Sequence, residues 1–447
     1  MNSLENAKPT VYSRNMHAQP RTIVKGKGCY IWDDQGVQYL DAASGVAVAN
    51  IGHGIVEIAE AIKRQAENVN FIYGNSVTVE VRDSVAKRLV KLAPEGMDHV
   101  FFCCGGSEAT ESMLKMARQY HVERGKVTKV KVIARWLSYH GNTIASLSMS
   151  GRPSWREMYT PYMMNFPHIV QPTCYRCPLG KCYPACNVAC AWELEKTILL
   201  EGPDSISAFI AEPIIGTTAT ATAPPKEYYE VIRKICDKYD VLLLMDEVIT
   251  GLGRTGRNFG IDHYEVKPDM IAVAKGLSGG YVPIGAVITS NEVFDTFYNG
   301  SGICNHSFTF GGNPVSCAAA DAVLKYVEDH DLISRSRSMG ALLLKSLKER
   351  FLAHPNVGDI RGKGLLVGME FVSDKDLKTP IPASSKFTER LGKNAFELGL
   401  IIVPGVRGSA NGVEGDHIQI TPPFVIDEGQ ITELVDKLDK ALRKTSI

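Results

Sequence analysis

Apolar residues change rhythm along this chain, and each change predicts an element. Near the N-terminus, GCYIWDDQGVQYLDAASG (28–45) sets two short apolar runs around a DDQG turn, which predicts a hairpin. Residues 1–27 show no periodicity and read as an irregular arm. From about residue 56 the period lengthens. IVEIAEAIKRQAENV places Ile58, Ile62 and Val69 at helical spacing, and VRDSVAKRLVKLA is a second helix stopped by Pro94 and Gly96. Short apolar runs then alternate with helical ones. HVFFCC (99–104), VKVIAR (130–135), ISAFIAEPI (206–214), VLLLMDEV (241–248) and DMIAVAK (269–275) read as strands. SEATESMLKMARQYHVER and KEYYEVIRKICDKY read as helices. Such alternation predicts an α/β fold with a mostly parallel, helix-covered sheet. Beyond 326 the pattern differs: a long helix, ISRSRSMGALLLKSLKERF, precedes the short strands LLVGMEFV and HIQITPP and a helical tail. The expected division is an arm and hairpin (1–55) joined to the small domain, a large domain (56–325) and a small α+β domain (326–447).

Composition narrows the function classes. The 447 residues are 45% hydrophobic and 22% charged, with 49 basic and 49 acidic side chains. A neutral chain has no overall electrostatic reason to bind nucleic acid or an anionic membrane. The N-terminus lacks an apolar signal segment, and no run of 18 apolar residues occurs, so the expectation is a cytoplasmic protein with no membrane partner. Thiols stay reduced there, which disfavours reading the eleven cysteines as a disulfide framework.

Ligands of open α/β folds bind beyond the carboxyl ends of the strands, so those positions carry the candidate chemistry. After HVFFCC come Gly105, Gly106 and Ser107, then a helix. Free N–H groups at a helix start suit a phosphate; the plain alternative is that Ser107 caps the helix, with Glu111 nearby. After VLLLM come Asp246 and Glu247, and a carboxylate ending so apolar a strand needs a partner. After DMIAVA comes Lys275, followed by GLSGGYVPIGA. A lysine beside small residues can form a Schiff base when desolvation lowers its pKa. Amine, carboxylate and phosphate cradle together are what pyridoxal 5'-phosphate requires. GLGRTG (251–256) matches a dinucleotide-binding fingerprint by letter, but Gly260 and Pro268 break the helix that should follow.

At this point the chain resembles the class III (ω-type) aminotransferases of the fold-type I pyridoxal-phosphate enzymes. LLLMDEVITGLGRTGRNFGIDHYEVKPDMIAVAKGLSGGYVPIGA resembles their signature almost throughout, and FFCCGGSEATESMLKMAR their phosphate segment, where Ser is commoner than Gly105. SYHGNTIAS, AEPIIG and HSFTFGGNPVSCAAA also match, in order, over roughly residues 20–440. The resemblance implies a large domain with a mostly parallel seven-stranded sheet. It implies that Lys275 holds the cofactor and moves the proton, and that Asp246 pairs with the pyridinium nitrogen. Val248 and Tyr139 would flank the ring, with His140 and Gly141 beside it; Gly106 and Ser107 would bind the phosphate; Glu212 would lie near the cofactor. Thr309 would reach the phosphate in a neighbouring subunit, making a homodimer, or a dimer of dimers, the working unit. The partners implied are an amine donor, such as taurine, β-alanine or a diamine, and a small keto-acid acceptor, pyruvate preferred.

Arg407 lies where related enzymes carry a mobile arginine for the substrate carboxylate; the plain alternative is a solvated loop arginine. Arg152 is a weaker candidate. Trp32 and Tyr73 could shape the pocket, although aromatic residues more often serve packing. For Tyr139 and His140 the plain alternative is a solvent-exposed strand end. An amino-acid racemase or aminomutase would keep the same lysine and carboxylate. A metal-binding or redox protein on an inactive scaffold is a further alternative, and intact Lys275 and Asp246 argue against it.

TCYRCPLGKCYPACNVAC (173–190) carries Cys174, Cys177, Cys182, Cys186 and Cys190. Only Cys174 and Cys177 form a tight pair, whereas zinc ribbons use two. Cys186 and Cys190 stand one helical turn apart and could complete a four-thiolate site; the alternatives are a loop insert with small buried thiols, or a reactive thiol, for which no activating partner is evident.

Overall fold

A computed structural model describes residues 10–74 and 76–447. Its centre is a seven-stranded sheet in the order His99–Cys103, Gly285–Thr289, Met270–Val273, Leu242–Asp246, Ile206–Ala211, Lys131–Arg135, His168–Ile169. All neighbours from Met270–Val273 to His168–Ile169 pair in parallel, and Gly285–Thr289 runs antiparallel to both strands beside it. The fold class expected from the sequence is therefore observed.

The central strands are buried at every position because both faces are covered. Alternate side chains of Leu242–Asp246 serve opposite layers. Leu243 and Met245 pack with Phe209, Ile271 and Ile232 on one face. Leu242 and Leu244 pack with Ala208, Met270 and Met113 on the other. The Gly106–Glu123 helix supplies Met113, and the Tyr228–Tyr239 helix supplies Ile232.

The predicted hairpin forms from Tyr30–Asp33 and Gln38–Asp41. Asp33 shapes its turn by accepting from the amides of Gln35 (3.0 Å) and Val37 (2.8 Å). The arm is a correction. Residues 1–9 lie outside the described residues, but Ile23–Lys27 is a strand paired with Tyr30–Asp33. Its mostly exposed IVKGK pattern is that of an edge strand and offers no buried alternation to read. Gln38–Asp41 also pairs in parallel with Leu400–Ile401, and Leu40 and Ala42 share an apolar cluster with Leu343, Phe371 and Leu434. A four-stranded antiparallel sheet, Val357–Lys363, Leu366–Phe371, Asp416–Ile420 and Val403–Pro404, carries much of that cluster.

Candidate active site

Successive strand ends open onto one cavity of about 440 Å³. His99–Cys103 leads to Gly105, Gly106 and Ser107; Lys131–Arg135 to Tyr139, His140 and Gly141; Ile206–Ala211 to Glu212. Leu242–Asp246 ends in Asp246, with Val248 beyond it, and Met270–Val273 leads to Lys275. All of these residues line the cavity. The size suits a small organic ligand.

At the Gly106–Glu123 helix the capping alternative fails. The N-cap is Gly105, and no side chain caps the helix. Ser107 lies in the first turn, where its Oγ accepts from the Asn142 amide at 3.1 Å. First-turn N–H groups are thus left facing the cavity, with the positive end of an 18-residue helix behind them. Two glycines keep the cradle open. A Cβ on Gly106 would lie 3.0 Å from Val248, and one on Gly141, whose φ is +129°, would lie 2.4 Å from Ser107 Oγ. Gly105 has space for a Cβ, so the family's commoner Ser would fit there.

Asp246 is buried and held from two sides. His140 Nδ1 is 2.8 Å from Oδ2, and the Val248 amide donates to Oδ1 at 3.1 Å. An ionised carboxylate keeps further acceptor sites for a ligand N–H. His140 is fixed through its backbone by Ser150 Oγ and Thr110 Oγ1, and its Nε2 has no partner. Glu212 is buried, accepts weakly from the Tyr139 amide at 3.4 Å, and leaves Oε2 without a hydrogen bond. Burial pushes its carboxyl up to about 7, against the opposing pull of His140 and Arg135.

Lys275 follows its strand with a left-handed φ of 42°, and its Nζ donates to the Val46 carbonyl at 3.2 Å. Val46 itself has φ 64°, a costly conformation for a β-branched residue. Burial lowers the Lys275 ammonium to about 8, with Asp246 opposing and Arg254 assisting. A lysine so tuned has a neutral fraction able to condense with an aldehyde.

Other candidates lie elsewhere. Thr309 is exposed and does not line the cavity. Arg407 donates to Asp416 and to the Ile381 carbonyl at 2.9 Å, away from the cavity lining. Arg152 is fully buried on backbone carbonyls, those of Thr218 (3.0 Å), Val406 and Arg407, and clamps the loop that carries Arg407. Trp32 stays in the hairpin with Lys25 above its ring, and Tyr73 is exposed. Val48, Cys104, Ile214, Ile249 and Tyr281 line the cavity without having been singled out, because lone apolar residues carry no signal in sequence. GLGRTG forms turns followed by a short Gly260–His263 helix, so the dinucleotide alternative fails on structure too. All five insert cysteines are free thiols, and among the described residues no three His, Cys, Asp or Glu side chains already stand together as metal ligands.

The family model for class III aminotransferases matches residues 11–442. The chain belongs to this family. It is 39% identical to the aminotransferase YodT of Bacillus subtilis, over 92% of each chain. It is 35% identical to the putrescine–pyruvate aminotransferase of Pseudomonas aeruginosa, over 98% of this chain and 93% of that protein. The ω-transaminase of Pseudomonas jessenii in complex with PMP superposes with a TM-score of 0.89 at 35% identity, covering 95% and 93% of the two chains. This aminotransferase is accordingly a fold-type I enzyme whose cofactor is pyridoxal phosphate. The site fits that group: an uncapped helix start for the phosphate, a buried carboxylate for the ring nitrogen and a desolvated amine for the aldehyde. Among the described residues no helix is long and apolar enough to cross a membrane.

Proposed function

We propose that this aminotransferase moves an amino group from an ω-amine or amino acid, such as taurine, β-alanine or a diamine, to a small keto acid, with pyruvate as the acceptor. The observation that carries the reaction type is Lys275 and Asp246 facing one cavity with an uncapped helix start. The donor class and acceptor rest on the relatives: one is named a putrescine–pyruvate aminotransferase and another an ω-transaminase.

When bound, pyridoxal phosphate supplies an electron sink for negative charge at the donor carbon. Lys275 Nζ would hold the cofactor covalently at rest; displaced from it by the donor's amine, the freed Nζ would take the proton from the donor carbon as general base. Its lowered pKa keeps that base available near neutrality. Asp246, oriented by His140, pairs with the ring nitrogen and keeps its proton in place. Val248 and Tyr139 confine the ring between them, and Gly106, Ser107 and Gly141 leave space for the phosphate. Glu212, its carboxyl raised to about 7 by burial, is protonated in part and in that form offers a hydrogen bond.

Arg407 would meet the substrate carboxylate by leaving Asp416; Arg152 would assist by holding the Arg407 loop, and Trp32 is the least supported of the substrate residues. Thr309 would act on the phosphate of a second subunit, which its exposed position allows and which makes a homodimer the working unit. The chain would divide at about residues 55 and 325, a reading supported by the cluster uniting Leu40 with Leu343 and Leu434. A cytoplasmic setting completes the proposal. The test is a half-reaction. Yellow enzyme mixed with putrescine, β-alanine or taurine and no keto acid should bleach stoichiometrically and release a carbonyl product. Turnover of an amino acid without carbonyl release would replace the proposal with a racemase.

A further inference from the structure

The insert of residues 173–190 takes no part in the reaction described above, yet it is not a loose loop. The structure separates its five cysteines into four and one. Cys174, Cys177, Cys186 and Cys190 all line one small void of about 20 Å³, beside Pro225, and Cys182 does not. Cys182 is exposed, as is Cys174, and it alone of the five lies outside that lining. Removing it from the count changes the spacing pattern. What remains is a C-x2-C pair and a C-x3-C pair separated by a loop, and each pair falls within the short spacing that tetrahedral thiolate sites use. Cys190 lies within electrostatic reach of the other three thiols, and Cys174 within reach of Cys177 and Cys186. A void of this size holds one small sphere, a water or an ion.

A second observation concerns what lies between the first two cysteines. Tyr175 and Arg176 plug into the C-terminal sheet. Arg176 donates to Glu370, a fully buried carboxylate, and to the Lys378 carbonyl at 2.6 Å. Lys378 Nζ donates back to the Tyr175 carbonyl at 2.7 Å. The Tyr175 ring lies among three cations, Arg176, Arg361 and Lys378. Gly358 makes room for its hydroxyl, since a Cβ there would come within 2.3 Å of it. The insert thus fastens the C-terminal sheet to the large sheet through a dipeptide whose two flanking residues are cysteines facing the void.

We propose that Cys174, Cys177, Cys186 and Cys190 form a four-thiolate site for a soft divalent cation, zinc foremost, which fixes the Tyr175–Arg176 anchor. Thiolate sulfur is the ligand that selects zinc or iron over hard cations. On binding Zn²⁺ the four thiols release four protons to solvent and four Zn–S bonds form, with no change of oxidation state. No three of the sulfurs are yet gathered at ligand spacing. Binding therefore draws them in onto the void. Cys174, Cys177 and Cys186 sit in loop outside any strand or helix and Cys190 at the second residue of the Ala189–Glu201 helix, so regular structure resists that movement little.

The experiment uses untagged holoenzyme incubated with excess zinc chloride, desalted, and measured by elemental analysis. About one zinc per chain is expected; less than about half an equivalent would overturn the proposal. Cys182→Ser should retain that zinc, and Cys177→Ser should lose at least tenfold while keeping its cofactor absorbance. Equal loss in both variants would mean unspecific thiol binding and would also overturn it. Should Cys177→Ser fail to fold, thiol counting on the native wild-type enzyme decides. Zinc should protect the four lining cysteines from an aromatic disulfide reagent and leave Cys182 reactive; unchanged thiol reactivity would sink the site.

Discussion

The catalytic cleft and the cysteine insert are built in opposite ways. In the cleft, reactive residues come from five strand ends between positions 105 and 275, and none is adjacent in sequence to all its partners. Each is positioned by a buried neighbour: Asp246 by His140, His140 by Ser150 and Thr110. In the insert, five thiols crowd between 174 and 190, while the deep contacts belong to Tyr175 and Arg176. Density of reactive side chains along a chain marks how a loop is held. Convergence of separate strand ends marks where a reaction occurs, because only a folded sheet can bring such groups together.

If that contrast is right, substitutions in the cleft cost rate and substitutions in the insert cost stability. The largest effect belongs to Lys275→Ala, which removes both the covalent hold and the base. Turnover should fall by roughly 10⁴-fold or more, the upper range for a positioned base alone. Steady-state assays with saturating cofactor check it. Asp246→Asn comes next, with an expected loss of roughly 10²–10³-fold, the scale seen when a preorganised charge partner is removed. The variant should still bind the phosphate. A near-normal rate in either variant would break the comparison.

The pH dependence follows from the same lysine. Burial lowers Lys275 to about 8, so below that pH its Nζ is mostly protonated and only the shrinking neutral fraction attacks an aldehyde. Capture of pyridoxal phosphate by cofactor-free enzyme should accelerate about tenfold per pH unit up to about 8 and level off above about 9. An unperturbed lysine would keep accelerating past pH 10. Stopped-flow absorbance separates the two profiles.

Much of this was legible in the sequence, and the failures have physical causes. Asp246 and Lys275 were readable because each ends a run of buried apolar residues, where a charge is conspicuous. Gly285–Thr289 escaped as a strand because GAVIT follows a loop in one continuous small-residue stretch, with no polar break to mark its start. His168–Ile169 is two residues long and has no period at all. The direction of long side chains was the least legible. Arg152, the weaker candidate, and Arg407 both read as substrate cations. One is consumed by buried carbonyls and the other by Asp416, partners hundreds of residues away or across a turn. Thr309 is exposed, and its expected ligand lies in another subunit.

Two smaller effects sharpen the contrast. Gly141→Ala places a Cβ against Ser107 Oγ at a backbone φ of +129°, a conformation that costs a non-glycine residue about 1–3 kcal/mol. Cofactor affinity should weaken about tenfold or more by equilibrium dialysis, since the strain falls on the phosphate cradle. Arg176→Ala acts on the other region. It deprives buried Glu370 of one cation and leaves Arg361 as the other, at 2.8 Å. A loss of about 1–3 kcal/mol of stability is expected, the cost of an unmet buried acceptor. Denaturant midpoints should fall while kcat with saturating cofactor stays within about twofold. A kcat loss as large as that of Asp246→Asn would mean the insert belongs to the catalytic machinery.

Cys182→Ser should do least of all, and for that reason it tests the division within the insert. Cys182 is exposed and is not among the residues lining the void that the other four thiols share. Its backbone carbonyl accepts from the Cys186 amide at 2.9 Å, and serine preserves that bond. A surface substitution of this kind stays within about 0.5 kcal/mol. Stability by chemical denaturation, kcat and cofactor affinity should all match the wild type. A destabilisation above about 1 kcal/mol, twice the usual surface limit, would show that the fifth cysteine is part of what holds the loop.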